Sequence, residues 1–279
     1  VGSMLAFYQY CLTQHCECTL WLADGIPDSM SFLPYSKKIV KSFPDTPFDY
    51  VVALDCANKT RIMAVDTLPK DVPIINIDHH QDNSQFGQLN ITMEISSVGE
   101  LLFCLFKELS FPISKEIATC LYTAIIFDTG QFRYSNTTAQ TLDAASSLIS
   151  TGIDFTQLSA FVFESKNEDF LSILKLSLSH LVLKPDYISV SIPKTKLKSG
   201  QDIIDIIRQV KQKKVYLVFR ETNFGEVKVS LRSKGEFNVA DFSAQFSGGG
   251  HVQAAGIRMK GTLVQVQKKI LDALELALS

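Results

Sequence analysis

Two short apolar runs, each stopped by an aspartate, constrain this chain more than anything else in it. "FDYVVALD" (residues 48–55) ends on Asp55, and "VPIINIDHH" (72–80) ends on Asp78, followed by His79 and His80. Runs this short and this apolar read as strands buried on both faces. The stretches around them carry helical periodicity, so a parallel α/β sheet is expected. The carboxyl ends of strands in such a sheet form the edge where sites are built. Asp55 and the Asp78-His79-His80 cluster are therefore predicted to converge on one crest.

The rest of the chain fits this frame. Helices are predicted over 3–14 ("SMLAFYQYCLTQ"), 97–110, 114–129, 138–150 and 155–181. Pro112 and Ser114 separate the second from the third, and Gly130 and Gly152 close later ones. "ECTLWLA" (17–23) reads as a strand closed by Asp24-Gly25. "VLKPDYISVSIP" (182–193) breaks the helical pattern, which puts the junction there: a first domain over 1–182 and a second over 186–279. Beyond it a helix is predicted near 200–210, then strands "KKVYLVFRE" (213–221) and "GEVKVSLRS" (225–233), and helices at 239–246 and 262–278. This is a second, smaller α/β domain. No internal repeat is present.

Apolar content of 46% against 20% charged residues supports a filled core and excludes a disordered chain. No apolar run reaches the ~18 residues that would span a bilayer, and no signal-peptide pattern opens the chain. Six cysteines without a framework suit a reducing cytoplasm. Charge is split along the chain. Residues 1–185 carry 12 Lys and Arg against 20 Asp and Glu, a net of −8; residues 186–279 carry 15 against 9, a net of +6. An acidic half suits divalent cations and a basic half suits phosphate, although solvated surface also accounts for such a split.

Asp128 joins the acidic candidates. It follows Ala-Ile-Ile-Phe where a long apolar helix meets Asp-Thr-Gly, a place where a carboxylate needs a partner. A lone Asp at such a position is most often a cap or turn; the set together is not. Carboxylates plus imidazole, with no thiolate, favour an Mn- or Mg-type site over structural zinc, and shared carboxylates suit a two-metal arrangement. In the basic half, "FSGGGHVQAAG" (246–256) places Gly248, Gly249 and Gly250 before His251. Bare backbone can cradle an anion there, or merely turn. Arg220 and Arg232 each end a predicted strand, where a guanidinium fork suits phosphate or simply keeps an edge soluble. "CLTQHCEC" (11–18) fits no zinc spacing, so its thiols read as incidental. Phe219 and Phe224 read as core before they read as a stacking platform for bases.

Taken in order, Asp55, Asp78-His79-His80, "DTGQF", "KVSLRS" and "FSGGGHVQAAG" resemble the DHH phosphoesterase family with its DHH-associated C-terminal domain. Length and spacing are most similar to the bacterial nanoRNase/pAp phosphatase group. The C-terminal motif differs from that of manganese pyrophosphatases, which share the first domain. The resemblance implies an α/β chain: a parallel-sheet metal domain with helices on both faces, and a smaller α/β substrate domain with a mixed sheet, the active cleft between them. It implies two Mn²⁺ ions (Mg²⁺ as a substitute), with Asp55 bridging them and His79 and Asp128 ligating one of them. Asp78 would orient the site and His80 would face the scissile phosphate. Arg220, Arg232, Ser233, Gly248, Gly249, Gly250 and His251 would hold the substrate, with Ser96 and Ser97 of "ISSVGE" as further candidates.

The family also carries a His-x-x-x-Asp-x-Asp segment just before a Gly-Ser. Val1-Gly2-Ser3 resembles its tail, so the residues present supply about half of the implied ligands and weak metal binding is expected. The implied activity is hydrolysis of short RNA oligonucleotides and 3′-phosphoadenosine 5′-phosphate, in the cytoplasm and away from membranes; the resemblance allows a homodimer. Two other readings stay open: a cyclic dinucleotide phosphodiesterase, and a catalytically silent nucleotide-binding protein.

Overall fold

The computed structural model describes residues 1–62, 68, 71–164, 168–194, 202–222 and 225–278. They form two compact units, Val1–Ser165 and Lys166–Ser279.

The first unit opens with helix α1 (Gly2–Thr13). Two-residue strands β1 (Leu20–Trp21) and β2 (Ile39–Val40) then pair in parallel. Strands β3 (Val51–Leu54), β4 (Ile74–Asp78) and β5 (Leu89–Thr92) form an all-parallel sheet in that order. Helices α2 (Val98–Glu108), α3 (Lys115–Asp128), α4 (Ala139–Ile149) and α5 (Phe155–Phe163) complete the unit. Alternation along the strands splits their side chains between two clusters, as the pleat requires. Val52, Leu54, Ile75, Ile77 and Ile91 join the large core built from the helices. Val51, Ala53 and Ile74 meet Trp21, Phe43, Ile62, Leu68 and Phe86 on the other side.

Helix α3 is the axis of that core, buried almost all round from Ile117 to Ile126, which is why its sequence is apolar without a clear face. Two glycines let its neighbours close on it. A Cβ on Gly2 would fall 2.4 Å from the Cys120 carbonyl, and one on Gly99 would fall 2.7 Å from the Ala124 methyl. α1 and α2 are thus pressed against α3 within about two turns of its last residue, Asp128. Helix starts obey local chemistry: Ser97, Ser114 and Asp154 each accept the N3 amide, and Thr138 and Thr141 form a reciprocal box. Each such cap is worth ~1 kcal/mol.

The second unit starts earlier than the sequence implied. The predicted helix 155–181 is interrupted, and its second half is a separate helix, α6 (Glu168–Ser179). Ile173 of α6 packs with Ile188, Val190 and Ile192, so α6 belongs to the second unit. The stretch read as a junction contains strands β6 (Leu181–Leu183) and β7 (Tyr187–Ile192). After them come α7 (Asp202–Ile207), β8 (Val215–Glu221), β9 (Glu226–Ser233), α8 (Val239–Ala244), β10 (Gly249–His251), β11 (Ala254–Lys260) and α9 (Leu263–Leu278). The sheet order is β10-β11-β9-β8-β7-β6, antiparallel throughout except for β7 with β8.

One face of this sheet is apolar from β8 to β11 and packs on α8 and α9. The other changes character partway across. On β7 and β8 it is apolar and meets α6 and α7; on β9 and β11 it carries Lys228, Ser230, Arg232 and Arg258, none of them buried.

Candidate metal crest and basic sheet face

Asp55 and Asp78 stand at neighbouring strand ends because β3 and β4 are in parallel register, Leu54 opposite Ile77. Asp55 continues the ladder with its amide, which donates to the Ile77 carbonyl at 3.0 Å, but its φ is +61°. That left-handed turn costs an L-residue ~1 kcal/mol and is tolerated best by Asp and Asn. It swings the carboxylate toward the two histidines that come after β4. Oδ1 of Asp55 lies 3.4 Å from Nε2 of His79 and 3.8 Å from Nδ1 of His80. Ligating atoms of Asp55, His79 and His80 all fall within 4.8 Å of one another.

The histidines are held by their other contacts. Nδ1 of His79 bonds the Ile95 carbonyl at 3.1 Å, which makes Nδ1 the protonated nitrogen and turns Nε2 toward Asp55. Nδ1 of His80 lies 2.8 Å from Oδ1 of Asp78. Asp78 is fully buried and takes a second bond, 2.6 Å, from the Asn83 amide. Burial alone would raise its pKa, but the bonds from His80 and Asn83 outweigh that and hold the carboxylate down to about 2. An ionised Asp78 can only accept, so His80 donates from Nδ1 and its Nε2 is left for other partners. Asn83 also bonds Asn76, and Asn76 bonds the Cys56 carbonyl, tying the loop after β3 to the loop after β4. Asn76 and Asn83 belong to the site; a polar residue inside an apolar strand was the signal for the first.

Asp128 ends α3, and three left-handed residues come soon after it: Gly130, Gln131 and Phe132 at φ +55°, +60° and +61°. The Thr129 hydroxyl accepts the Phe132 amide and Arg133 Nε donates to the Gly130 carbonyl, so "DTGQF" builds one strained, braced turn. The Asp128 carboxylate is not among the groups within 4.8 Å, yet it senses them. Burial, then the charge of Asp55, raise its pKa to about 7. Asp55 moves the other way. Burial opposes the shift, but the bond and charge of His79 keep it below the usual carboxylate range. His79 is raised to about 9, because Asp55 and then Asp128 overcome the desolvation that disfavours an imidazolium. In the absence of metal, the crest therefore carries protons where a divalent ion would place charge.

On the second unit, cross-strand register assembles rows. Arg220, Lys228 and Arg258 lie side by side on β8, β9 and β11; Ser230, Gly256 and Gly249 form the next row; Arg232, Ala254 and His251 the next. Paired residues share a face. Arg220, Arg232, Gly249 and His251 thus share one face, together with Lys228, Ser230 and Arg258, which were missed. The alternation in "KVSLR" would have found Lys228 and Ser230 by stepping back four and two positions from Arg232. Burial and then the charges of Arg258, Arg220 and Arg232 lower the Lys228 pKa, the signature of crowded cations. Lys228, Ser247, Gly248, Gly249 and Arg258 line a cavity there.

Ser233 lies on the opposite face, fully buried, with its hydroxyl on the Val252 carbonyl, away from the basic row. Gly250 pairs with Ala255 on that same face. Gly248 and Gly250 have packing reasons to be glycine: a Cβ would fall 2.4 Å from the Gly256 carbonyl and 2.3 Å from the Ala254 carbonyl. Of the three, only Gly249 meets open space. Ser96 and Ser97 are buried at the entry to α2. Phe219 is core, and Phe224 lies outside the described residues. Cys11, Cys16 and Cys18 are free thiols and form no metal cluster among the described residues.

A parallel sheet with an Asp/His-His crest, joined to a mixed-sheet unit with a basic face, defines a class. Residues 1–125 match the N-terminal domain of the DHH family and residues 186–279 match the DHHA1 domain; the chain belongs to the DHH family. It is 31% identical to the bifunctional oligoribonuclease and PAP phosphatase NrnA of Thermus thermophilus, over 98% of this chain and 84% of the relative. It is 27% identical to the Bacillus subtilis protein of the same name, over 74% and 68%. A crystal structure of an exopolyphosphatase-related protein from Bacteroides fragilis superposes with a TM-score of 0.88 at 27% identity, covering all of this chain and 89% of the other. No helix among the described residues is long and apolar enough to cross a membrane.

Proposed function

We propose that this protein is a metal-dependent phosphoesterase that hydrolyses short RNA oligonucleotides and 3′-phosphoadenosine 5′-phosphate in the cytoplasm, with Mn²⁺ as its metal. The observation that carries this is the crest. Carboxylate and imidazole atoms of Asp55, His79 and His80 gather within 4.8 Å, and the bond from Nδ1 to Ile95 leaves Nε2 of His79 as the ligating nitrogen. Such a donor set, without thiolate, fits Mn²⁺. Asp55, His79 and Asp128 would hold the metal, and the bound metal would activate water and neutralise charge developing on the phosphoryl oxygens.

The remaining steps belong to the chain itself. Asp78 fixes the His80 ring, so that Nε2 meets the scissile phosphate and can hold a proton for the leaving oxygen. Arg220, Lys228, Arg232 and His251 would bind phosphate of the nucleotide, and Gly249 would let its backbone come close. The relatives named as oligoribonucleases and PAP phosphatases support this choice of substrates.

The test is turnover of a diribonucleotide and of 3′-phosphoadenosine 5′-phosphate in Mn²⁺. Hydrolysis of both is expected, and neither being cleaved at saturating metal would remove the proposal. A second reading draws on 28% identity to the cyclic-di-AMP phosphodiesterase GdpP of Bacillus subtilis, over 77% of this chain but 34% of that protein. Cleavage of cyclic-di-AMP in preference to the linear dinucleotide would favour it.

A further inference from the structure

Glu100 has no evident reason to be where it is. It is a fully buried carboxylate in the first turn of α2, and the cap of that helix is already made by Ser97, whose hydroxyl accepts the Glu100 amide at 3.1 Å. One of its oxygens, Oε1, has no hydrogen-bond partner among the described residues. Burying a carboxylate in this way is costly, and a helix that only needed an N-terminus would not require it.

The other oxygen is crowded. Oε2 accepts the Ser96 amide at 3.3 Å, the Thr141 hydroxyl at 2.8 Å, and the Ser96 hydroxyl in a short bond. The Ser96 amide belongs to the same peptide group as the Ile95 carbonyl, and a peptide group is a rigid plane. Its amide end is gripped by Glu100, and its carbonyl end is the acceptor for Nδ1 of His79. The next carbonyl, of Ser96, accepts the Asn136 side-chain amide at 2.9 Å, and the same amide reaches the Asp128 carbonyl at 3.2 Å. A single short segment thus bonds a histidine of the crest directly and an aspartate of it through Asn136.

Resting on the metal-site reading above, we propose that Glu100 and Asn136 are positioning residues that set the crest through two successive peptide groups: Glu100 orients His79 through the Ile95–Ser96 peptide, and Asn136, anchored on the Ser96 carbonyl, places Asp128. Neither touches metal or substrate. Their effect lies in which nitrogen His79 presents and how far Asp128 stands from it. Groups that act through a ligand in this way change metal affinity ~10–100-fold when removed.

The test uses Glu100→Ala, Glu100→Gln and Asn136→Ala with two readouts. The first is the downfield Nδ1–H proton resonance of His79 in metal-free protein, protected from exchange by Ile95. The second is the Kd for Mn²⁺ alone, by electron paramagnetic resonance. Glu100→Ala is expected to lose the protected resonance and to raise the Mn²⁺ Kd ~10–100-fold. Glu100→Gln, which keeps one acceptor oxygen, should recover most of both. Asn136→Ala should raise the Kd about tenfold. A folded Glu100→Ala with the resonance and Kd of the parent overturns the proposal. Should Glu100→Ala not fold, parental Mn²⁺ affinity in Asn136→Ala overturns it instead. A parent protein that binds no Mn²⁺ removes the metal reading alone, since the His79 resonance still decides whether Glu100 orients that ring.

Discussion

The acidic crest and the basic sheet face are built by opposite rules. On the crest, the end of a parallel sheet brings a few short side chains together, and each is pinned by a second partner: His79 by Ile95, His80 by Asp78, Asp78 by Asn83. The basic face is laid out by antiparallel register, with long side chains on alternate residues. The crest bears strain, a left-handed Asp55 and a run of left-handed residues after Asp128; the face is ordinary pleat. Geometry that must be held to a fraction of an ångström needs the first kind of construction, whereas a grip on phosphate tolerates the second. Damage to the crest should therefore be all-or-none, and damage to the face should be graded.

The largest effects belong to the crest. Asp55→Ala, His79→Ala and Asp128→Ala are each expected to abolish hydrolysis of a diribonucleotide, a loss of roughly 10³-fold or more, because each removes a proposed ligand. The fold should survive, since Asp55 and the two histidines are not fully buried and lie at strand ends outside the apolar core, and removing Asp128 also relieves its repulsion with Asp55. Turnover of any of the three at the parental rate with saturating Mn²⁺ would break the comparison at that residue.

Smaller losses are expected from the face. Arg232→Ala and His251→Ala each remove a charge-assisted bond to phosphate, worth ~1.5–3 kcal/mol, or roughly 10–100-fold in kcat/KM for a dinucleotide. A small chromogenic phosphodiester offers no second phosphate to grip, so its loss should be much smaller. Equal losses on both substrates would mean that these residues serve the fold or the crest. Lys228→Ala and Arg258→Ala should cost less still, roughly threefold to tenfold each, because either cation leaves two others in its row. Their mark should be a weaker dependence of KM on salt, since each removed contact lowers the number of counterions released.

How much of this was legible in the sequence depended on whether the signal was local. Strand ends at Asp55 and Asp78 and the end of α3 at Asp128 are written in neighbouring residues, and the α/β class rested on those short apolar runs and the helical periodicity between them. β5 was not seen, because Leu89 to Thr92 is short, half polar and only partly buried. The split between α5 and α6 was hidden for the opposite reason. Helical periodicity runs on through it, and only packing of Ile173 on the second sheet separates the pieces. Lys228 and Arg258 acquire meaning from register with Arg220, a pairing across strands that no single stretch records. Glu100 stands within "ISSVGE" at a place where a helix's first turn commonly carries an acid, so nothing local marks it. One of the three bonds to its Oε2 comes from Thr141, 41 residues away.

The smallest effect expected is also the one that separates the two regions most cleanly. His79 is raised to about 9 against ~6.5 in an unfolded chain, and Asp128 to about 7 against ~3.9. Both groups bind protons more tightly when folded, so their contribution to stability is complete below the unfolded values and is lost as pH rises through the folded ones. Metal-free protein should therefore lose stability between about pH 4 and 9. Asp78, held down to about 2, contributes in the opposite sense, and its share disappears only as pH falls from ~3.9 towards 2. Bound Mn²⁺ needs His79 without its Nε2 proton and Asp128 ionised, so metal affinity should climb over the same rising interval. The gap in Tm between Mn²⁺-loaded and metal-free protein should then widen by a few degrees from pH 6 to 9. Arg232→Ala and Lys228→Ala should leave that widening intact, while His79→Gln should flatten it. A gap that is constant with pH, or one that a basic-face variant removes as readily as His79→Gln, would show that the protons held on the crest are not the ones metal displaces.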